Sequence, residues 1–455
     1  MNTPIGGALR PRLHVGVDKM VVGIPPDPDK GKTGVDVRVA VFFDGTLNNR
    51  YNTDARIKQL GSAARLGGAD TSYENFYSNV AILESLNRKR RPTKKEVSVY
   101  VDGPGTNFST SKEGTPKFES DSFKGYAYGS GDTGVPNKVS KGITKIREAV
   151  NSRGFYNHDT ELIHELVIDV FGFSRGAAAA RHFVARRSEL KAWAAQRHPA
   201  IVTINFVGLF DTVSSYSPSI STSPNFDNDV QELGLRVGGN AKKVVHLTAG
   251  DEVRKNFAST TIDSSIGAGV GYECQLPGAH SDIGGGYVEE AVEERQFSGS
   301  ARMEKLIHDG WYIRSPDPKQ NQILIHEERY ESLSEPTITA HWLVGRRRVR
   351  HHYQFIPLAI MRTLALKSGL DFEDFTRRQY QQYEVPPELA SAKATLHKIA
   401  VDNDRAHRQV ITFTTASPGP LVRNKYLHQS AVVLDIANDE RRLPGGVVQR
   451  QSIIG

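Results

Sequence analysis

Ser174 lies in a pentapeptide whose composition suits a catalytic nucleophile. The apolar run from Val167 to Phe171 leads into Gly172-Phe173-Ser174-Arg175-Gly176, and a run of alanines follows directly. A strand, a sharp turn and a helix in this order are typical of a nucleophile elbow, in which the serine projects from a tight bend. Glycines are needed beside it because a Cβ would collide with neighbouring backbone. We therefore predict a serine hydrolase with Ser174 as its nucleophile.

A serine nucleophile needs a base, and the base needs a carboxylate that orients it. His280 is the leading candidate base because it lies in a glycine-rich loop after the last predicted strand of the sheet. His428, which lies late in the chain, is the alternative base. Two carboxylates compete for the orienting role: Asp211 ends the strand after the elbow, and Asp251 ends the strand after that. The spacing of these residues does not distinguish Asp211 from Asp251.

The loop over residues 44–49 ends the first predicted strand and would lie beside Ser174. Its backbone N–H groups at Gly45 and Thr46, together with the N–H of Arg175, would form an oxyanion hole for the tetrahedral intermediate. The alternative is a tight turn capped by an Asx side chain. A Ser, Asp and His triad requires no metal ion or organic cofactor for its chemistry, and we expect neither.

Strand-like apolar runs alternate with helical patterns from Val35 to about Glu290. This alternation predicts an α/β fold of the α/β-hydrolase type, with a mostly parallel sheet and helices on both faces. We expect three parts: an extended N-terminal arm over residues 1–34, a catalytic domain over 35–290, and a mainly helical C-terminal subdomain or lid over 291–455. The third part would pack on the catalytic domain. Polar and glycine-rich residues recur where the predicted strands end, which is where ligands bind in such sheets.

The composition restricts where the protein is made and what it binds. Its one cysteine, Cys274, excludes an internal disulfide and a cysteine metal cluster. Neither a signal peptide nor a run of about eighteen apolar residues is present, so we predict synthesis in the cytoplasm and export, if any, without a cleaved signal. The net charge of +7 comes partly from two basic runs, at residues 88–95 and 346–352. Because no RNA-binding or zinc-finger spacing accompanies these runs, we expect no nucleic-acid partner.

The second basic run precedes an apolar helical pattern, and the two together allow two interpretations. The apolar residues lie around Phe355 to Leu364. They would form either a core helix after a solvated loop, or an apolar surface that contacts lipid while the arginines bind anionic headgroups. The sequence leaves this choice open.

Six motifs, taken together along residues 35–287, resemble a bacterial α/β-hydrolase family, the phospholipase effectors of the type VI secretion system. Each motif alone is weak evidence, whereas all six in this order are far more specific. In chain order they are Phe42 to Asn49, Asp102 to Thr106, Gly172 to Gly176, Gly208 to Val213, Asp251 to Arg254, and Gly278 to Tyr287.

The resemblance implies an antibacterial toxin that is injected into rival cells. Such a protein would hydrolyse acyl esters of membrane glycerophospholipids in the target-cell periplasm. Its partners would be the phospholipid substrate, a cognate immunity protein, and a secretion spike or adaptor protein. The family pattern makes the aspartate of Phe210-Asp211-Thr212 the triad acid, which favours Asp211 over Asp251, and it favours His280 over His428. Two other functions remain: a soluble-ester hydrolase with the same triad, and a non-catalytic binding module on a hydrolase scaffold.

Overall fold

The computed structural model describes most of the chain. The predicted arm over residues 1–34 falls outside the described residues except at 30–34, and so does most of the first basic run. The described residues are 30–59, 71–87, 95–110, 116–122, 129–152, 155, 157, 159–195, 201–215, 226–297, 300–314, 322–330, 338–414, 418–431, 439–444 and 448–455.

Strands and helices alternate along the first two thirds of the chain. The strands are β1 (Thr33–Phe43), β2 (Glu96–Val101), β3 (Ser109–Thr110), β4 (Pro116–Lys117), β5 (Glu161–Phe173), β6 (Ile201–Phe210), β7 (Lys243–Ala249), β8 (Ser259–Thr260), β9 (Gly271–Leu276), β10 (Glu290–Phe297), β11 (Gln322–Tyr330), β12 (Ile338–Arg350), β13 (His407–Val410) and β14 (Ser452–Ile453). The helices are α1 (Arg50–Ile57), α2 (Asn79–Leu86), α3 (Val135–Asn151), α4 (Arg175–Ala185), α5 (Ser188–Ala195), α6 (Phe226–Glu232), α7 (Asp263–Gly267), α8 (His280–Gly284), α9 (Ser300–His308), α10 (Phe355–Lys367), α11 (Ala390–Asp402) and α12 (Gly419–Lys425).

A seven-stranded sheet forms the centre of the molecule. Its strand order is β13-β9-β7-β6-β5-β1-β2, and every neighbouring pair is parallel. The carboxyl ends of parallel strands meet at one edge of a sheet, so β5, β6 and β9 deliver the residues that follow them to the same region. The predicted fold class, a mostly parallel sheet with an α/β arrangement, is confirmed.

Helices cover both faces of this sheet because its strands are apolar on both sides. Along β1, Val37, Val39 and Val41 face the core beneath α3 and α4. Ala40 and Phe42 face the opposite core, which α2, α10 and α11 cover. Alternation with a period of two residues therefore supplies two separate cores, as expected for a buried parallel sheet.

The apolar pattern after the second basic run is a core helix. Phe355, Ile356, Leu358, Ile360 and Leu364 of α10 are all 2% exposed or less. They pack in the core between the sheet and α11. The alternative in which this segment contacts lipid is therefore wrong, because its side chains are already buried by the protein itself.

The basic run itself ends β12, and its interpretation as a loop is wrong. Burial alternates along the strand, with Arg347 inside and Arg346, Arg348 and Arg350 outside. Arg347 donates to Glu293 and to the carbonyl oxygens of residues 423 and 427. The three outward arginines form ion pairs with glutamates. Cross-strand glutamates thus explain why an arginine-rich segment forms a strand here.

The C-terminal third contains the expected helices and also strands that the sequence analysis did not foresee. An antiparallel sheet joins β10, β12 and β11, and β13 adds an edge strand to the central sheet. The predicted domain boundaries stay a prediction. No helix among the described residues is long and apolar enough to cross a bilayer.

Candidate active site

The turn that carries Ser174 joins β5 directly to α4 and holds an unusual backbone conformation. Ser174 has φ 57° and ψ −128°, a region that non-glycine residues seldom occupy. A Cβ on Gly172 would lie 2.4 Å from the Gly176 carbonyl oxygen, and one on Gly176 would lie 2.1 Å from the Asp44 carbonyl oxygen. The two glycines are therefore required by close backbone approach, as predicted for a nucleophile elbow.

The backbone of Ser174 is tied to the turn that contains Asp211. The Ser174 N–H donates to the Phe210 carbonyl at 3.0 Å, and the Val213 N–H donates to the Ser174 carbonyl at 3.4 Å. Asp211 lies between these two partners and has φ 40°, so this turn is also strained. The ends of β5 and β6 are thus joined around the serine and the candidate acid.

Asp211 and His280 form a direct, buried pair. Nδ1 of His280 lies 2.5 Å from Oδ2 of Asp211. Because the ionised carboxylate only accepts hydrogen bonds, Nδ1 carries the proton and Nε2 of the neutral ring is left as the acceptor. The backbone N–H of Ala249 donates to Oδ1 of Asp211 at 3.0 Å. The tautomer of His280 with the proton on Nδ1 is the one that a general base for a serine nucleophile requires.

The electrostatic environment keeps Asp211 charged and His280 neutral. Burial opposes ionisation of Asp211, but Arg450 and His280 hold the pKa of its carboxyl well below the usual 3.8. Burial lowers the pKa of His280 below its usual 6.5, although the hydrogen bond and charge of Asp211 act in the opposite direction. At neutral pH the imidazole is therefore able to accept a proton.

Aromatic rings and a buried glutamate fix the position of His280. The rings of Phe173 and Phe257 lie 4.7 and 5.0 Å from the imidazole, between centroids. Oε2 of Glu252 accepts the backbone N–H of His280 at 3.2 Å. Burial opposes ionisation of Glu252, but its ion pair with Arg254 lowers its pKa to about 2. His280 is thus held through both its ring and its backbone.

The loop at residues 44–49 lies against the elbow, but one of its two predicted oxyanion donors is already used. The Gly45 N–H donates to Oδ1 of Asp44 at 2.8 Å. Asp44 also accepts hydrogen bonds from Ser78 and Tyr100. Gly45 is therefore a poor oxyanion donor, because its N–H already donates to the side chain of Asp44.

The two residues that carry the remaining predicted donors, Thr46 and Arg175, contact each other through their side chains. Nε of Arg175 donates to Oγ1 of Thr46 at 2.8 Å, so the Arg175 side chain holds the loop against the start of α4. A helix N-terminus also contributes partial positive charge at this point. The backbone N–H groups of Thr46 and Arg175 are the candidate oxyanion donors.

The two alternative residues have other partners. Asp251 accepts the Gly278 N–H at 2.6 Å and so holds the loop that leads to His280. Nδ1 of His428 lies 2.7 Å from Oδ1 of Asp282, which makes a second buried His–Asp pair. The structure thus pairs Asp211 with His280, whereas Asp251 binds the loop that leads to His280 and His428 pairs with Asp282.

Two side chains that none of the sequence motifs includes support the Asp211 turn. Arg450 binds both carboxylate oxygens of Asp211, at 2.7 and 2.8 Å. Nε2 of His246 accepts the Thr212 N–H at 2.9 Å, and Nδ1 of the same ring pairs with Glu273 at 3.0 Å. His246 and Glu273 lie in apolar strands, where isolated polar residues are a usable signal. No local pattern marks Arg450.

Among the described residues, no cluster of three or more His, Cys, Asp or Glu side chains is arranged to hold a metal ion.

The fold and these contacts define an α/β protein in which a buried Asp211–His280 pair lies beside the turn of Ser174. Residues 182–306 match the family model for the catalytic domain of Tle1-like phospholipase effectors of the type VI secretion system. The match includes Asp211 and His280, and Ser174 precedes it. The resemblance found in the sequence motifs is thereby confirmed.

Comparison with solved structures agrees with this fold. The chain is similar to the Tle1 effector bound to the VgrG spike from the Type 6 secretion system, with a TM-score of 0.60 and 23% identity over 93% of this chain and 94% of that one. A second, weaker similarity is to an uncharacterized protein from Pseudomonas aeruginosa, with a TM-score of 0.42 and 14% identity over 80% of this chain and 51% of that one. No curated protein matches the chain significantly.

Proposed function

We propose that the protein is an antibacterial phospholipase that hydrolyses acyl esters of glycerophospholipids in target-cell membranes. The hydrogen bond between Asp211 and His280, beside the strained turn of Ser174, is the observation that carries the proposal. The match to Tle1-like phospholipase effectors supports the lipid substrate.

The reaction follows from the roles of the three side chains. Nε2 of His280 takes the proton of the Ser174 hydroxyl while Oγ attacks the ester carbonyl carbon. The N–H groups of Thr46 and Arg175 stabilise the oxyanion. As the ester C–O bond breaks, His280 returns the proton to the departing lysophospholipid alcohol and an acyl-enzyme remains. Water, deprotonated by His280, then attacks the acyl carbon. As the bond to Ser174 Oγ breaks, His280 returns the proton to Ser174 and the fatty acid leaves. Asp211 keeps the ring in its reactive tautomer throughout.

Delivery would depend on a secretion partner. The similar Tle1 effector was solved bound to the VgrG spike. We propose that a spike or adaptor protein carries this chain through type VI secretion, that the chain acts in the target-cell periplasm, and that an immunity protein protects the producer.

Labelling and lipid hydrolysis test the proposal. A fluorophosphonate should label the parental protein at Ser174, and mass spectrometry should detect lysophospholipid and free fatty acid. Ser174→Ala should lower turnover by about a millionfold, since the nucleophile acts as a unit with its base. Ser188→Ala, at the start of α5, is the matched control and should keep parental activity. A folded Ser174→Ala protein with near-parental activity would refute the assignment. Absence of labelling in the parent would favour a non-catalytic binding module.

One observation favours a soluble ester as an alternative substrate. The apolar residues of α10 are buried, so this helix offers no surface for drawing an acyl chain from a bilayer. The same triad would then act on dispersed esters. Rates measured with a short-chain phospholipid below and above its critical micelle concentration distinguish the two: a phospholipase accelerates on micelles, whereas a soluble-ester hydrolase does not.

A further inference from the structure

We propose that Arg450 is a positioning residue of the site. It fixes the orientation of the Asp211 carboxylate toward His280, and it reduces the stabilisation that this carboxylate gives to protonated His280. The role in catalysis rests on the proposed function. The sequence motifs do not include Arg450, which lies 239 positions from Asp211.

The contact is bidentate and leaves little freedom on either side. Nη1 and Nη2 of Arg450 donate to Oδ1 and Oδ2 of Asp211, at 2.7 and 2.8 Å. Nε donates to the Phe257 carbonyl at 2.6 Å. The Arg450 side chain is 10% exposed and that of Asp211 is 0% exposed. A planar guanidinium held at three nitrogens fixes the carboxylate plane in a way that a single hydrogen bond does not.

Backbone pairing brings Arg450 to this position. The residues that follow Arg450 pair with β8 and with the residue after it: the Ser259 N–H donates to the Gln451 carbonyl and the Thr261 N–H donates to the Ile453 carbonyl, both at 2.9 Å. On its other side, β8 is tied to the Asp211 turn by the Thr260 N–H, which donates to the Thr212 carbonyl at 2.9 Å. The segment over residues 448–455 is thus connected through β8 to the acid that Arg450 binds.

The charge of Arg450 opposes protonation of His280. When His280 accepts a proton, the anionic Asp211 stabilises the imidazolium, and a cation bound to both of its oxygens reduces that effect. His280 also faces Glu252, through its backbone N–H, and Arg254, which is ion-paired with Glu252 at 2.9 Å. Those two groups stay in place when Arg450 alone is changed. Removal of Arg450 should therefore make His280 titrate at a higher pH.

The experiment uses the full chain and three variants: Arg450→Gln, Arg450→Lys and, as the control, Arg442→Gln. Arg442 lies nearby in sequence, and its half-exposed side chain pairs with Glu440 instead of Asp211. Circular dichroism checks folding. NMR of histidine-labelled protein, with the His280 signal assigned from His280→Gln, measures the titration of the imidazole. The rate of hydrolysis of a short soluble ester is measured against pH in parallel.

For Arg450→Gln, the His280 titration and the acid limb of the rate profile should both move up by about one pH unit, as expected for loss of a nearby charge. Arg450→Lys keeps the charge, so its titration should stay near the parental midpoint while the rate falls about tenfold, because one ammonium does not bridge both oxygens as the guanidinium does. Arg442→Gln should match the parent in both measurements.

The proposal would be overturned if folded Arg450→Gln showed an unshifted His280 titration and rates lowered equally at every pH. Arg450 would then have a structural role only. If Arg450→Gln does not fold, Arg450→Lys decides, since a parental rate in that variant would contradict the need for a bidentate contact. Failure of the proposed function is separate: the parent would show no ester hydrolysis, whereas the His280 titration by NMR would still report on Arg450.

Discussion

Two buried His–Asp pairs each have one member in α8, and only one of them includes a residue of the turn that binds the backbone of Ser174. His280 pairs with Asp211 at 2.5 Å, and His428 pairs with Asp282 at 2.7 Å, each through Nδ1. Asp211 lies in the turn that binds the backbone of Ser174. Asp282 instead accepts the backbone N–H groups of Ala279 and His428, so it caps the start of α8 and connects that helix to the distant segment of His428.

The second pair has the properties of a structural staple. The ring of Tyr287 stacks on His428 with 3.7 Å between centroids. Within the described part of the chain, Nε2 of His428 is buried and has no hydrogen-bond partner. Asp282 lies in α8, the short helix that begins at His280. We therefore expect the contacts of the carboxylate and of the second ring nitrogen, and not the buried His–Asp pair alone, to decide which pair is catalytic.

The largest predicted difference between the pairs is between the two histidines. His280→Gln should lower ester hydrolysis by about a millionfold, because loss of the base costs as much as loss of the nucleophile. His428→Gln should lower it less than tenfold. Hydrolysis rates of both purified variants, each checked by circular dichroism, measure this. Comparable losses in the two variants would remove the distinction between dyad and staple.

The carboxylates should differ by a smaller factor. Asp211→Asn should cost about ten-thousandfold in turnover because the imidazole then adopts the wrong tautomer. Asp282→Asn and Asp251→Asn should be mild, since each carboxylate binds loop backbone or His428 and not His280. Turnover at saturating substrate is the measurement. A crippled Asp251→Asn beside a mild Asp211→Asn would transfer the acid role to Asp251.

The pH profile should depend on the first pair alone. Burial lowers the pKa of His280 below 6.5, so this base stays neutral at pH values at which an ordinary histidine is already protonated. The acid limb of the rate on a soluble ester should therefore have its midpoint below pH 6.5 and fall about tenfold per pH unit further down. His428→Gln should leave that midpoint unchanged. A midpoint above pH 6.5 in the parent would contradict the burial argument.

The smallest effect that we predict is on the stability of the fold. Loss of the second pair should lower the free energy of unfolding even though it changes the rate of hydrolysis little. His428→Gln breaks a charge-assisted, buried hydrogen bond, which is expected to lower the free energy of unfolding by about 1–3 kcal/mol. Urea denaturation followed by tryptophan fluorescence measures it. An unchanged unfolding midpoint would show that the staple does not hold α8.

The elbow and the parallel sheet could be predicted from the sequence because local patterns specify them. Gly172 and Gly176 mark close backbone approach, and apolar runs mark buried strands. The glycine-rich segment after β9 marks the place of His280, although that residue begins the short helix α8 instead of lying in a loop. Each of these signals lies within a few residues of the feature that it predicts. Even the resemblance to type VI phospholipase effectors was carried by short motifs of this kind.

Other features depend on contacts between distant segments, and only the tertiary structure decided them. Spacing alone did not separate Asp211 from Asp251, since both follow parallel strands. The turn after β6 and the segment after β9 end at the same edge of the sheet, and there Asp211 pairs with His280. The engagement of Gly45 by Asp44 follows from how the loop folds on itself. Arg450 reaches Asp211 only because residues 448–455 pair with β8. Such contacts leave no periodic trace in the sequence, because topology and not local propensity brings their partners together.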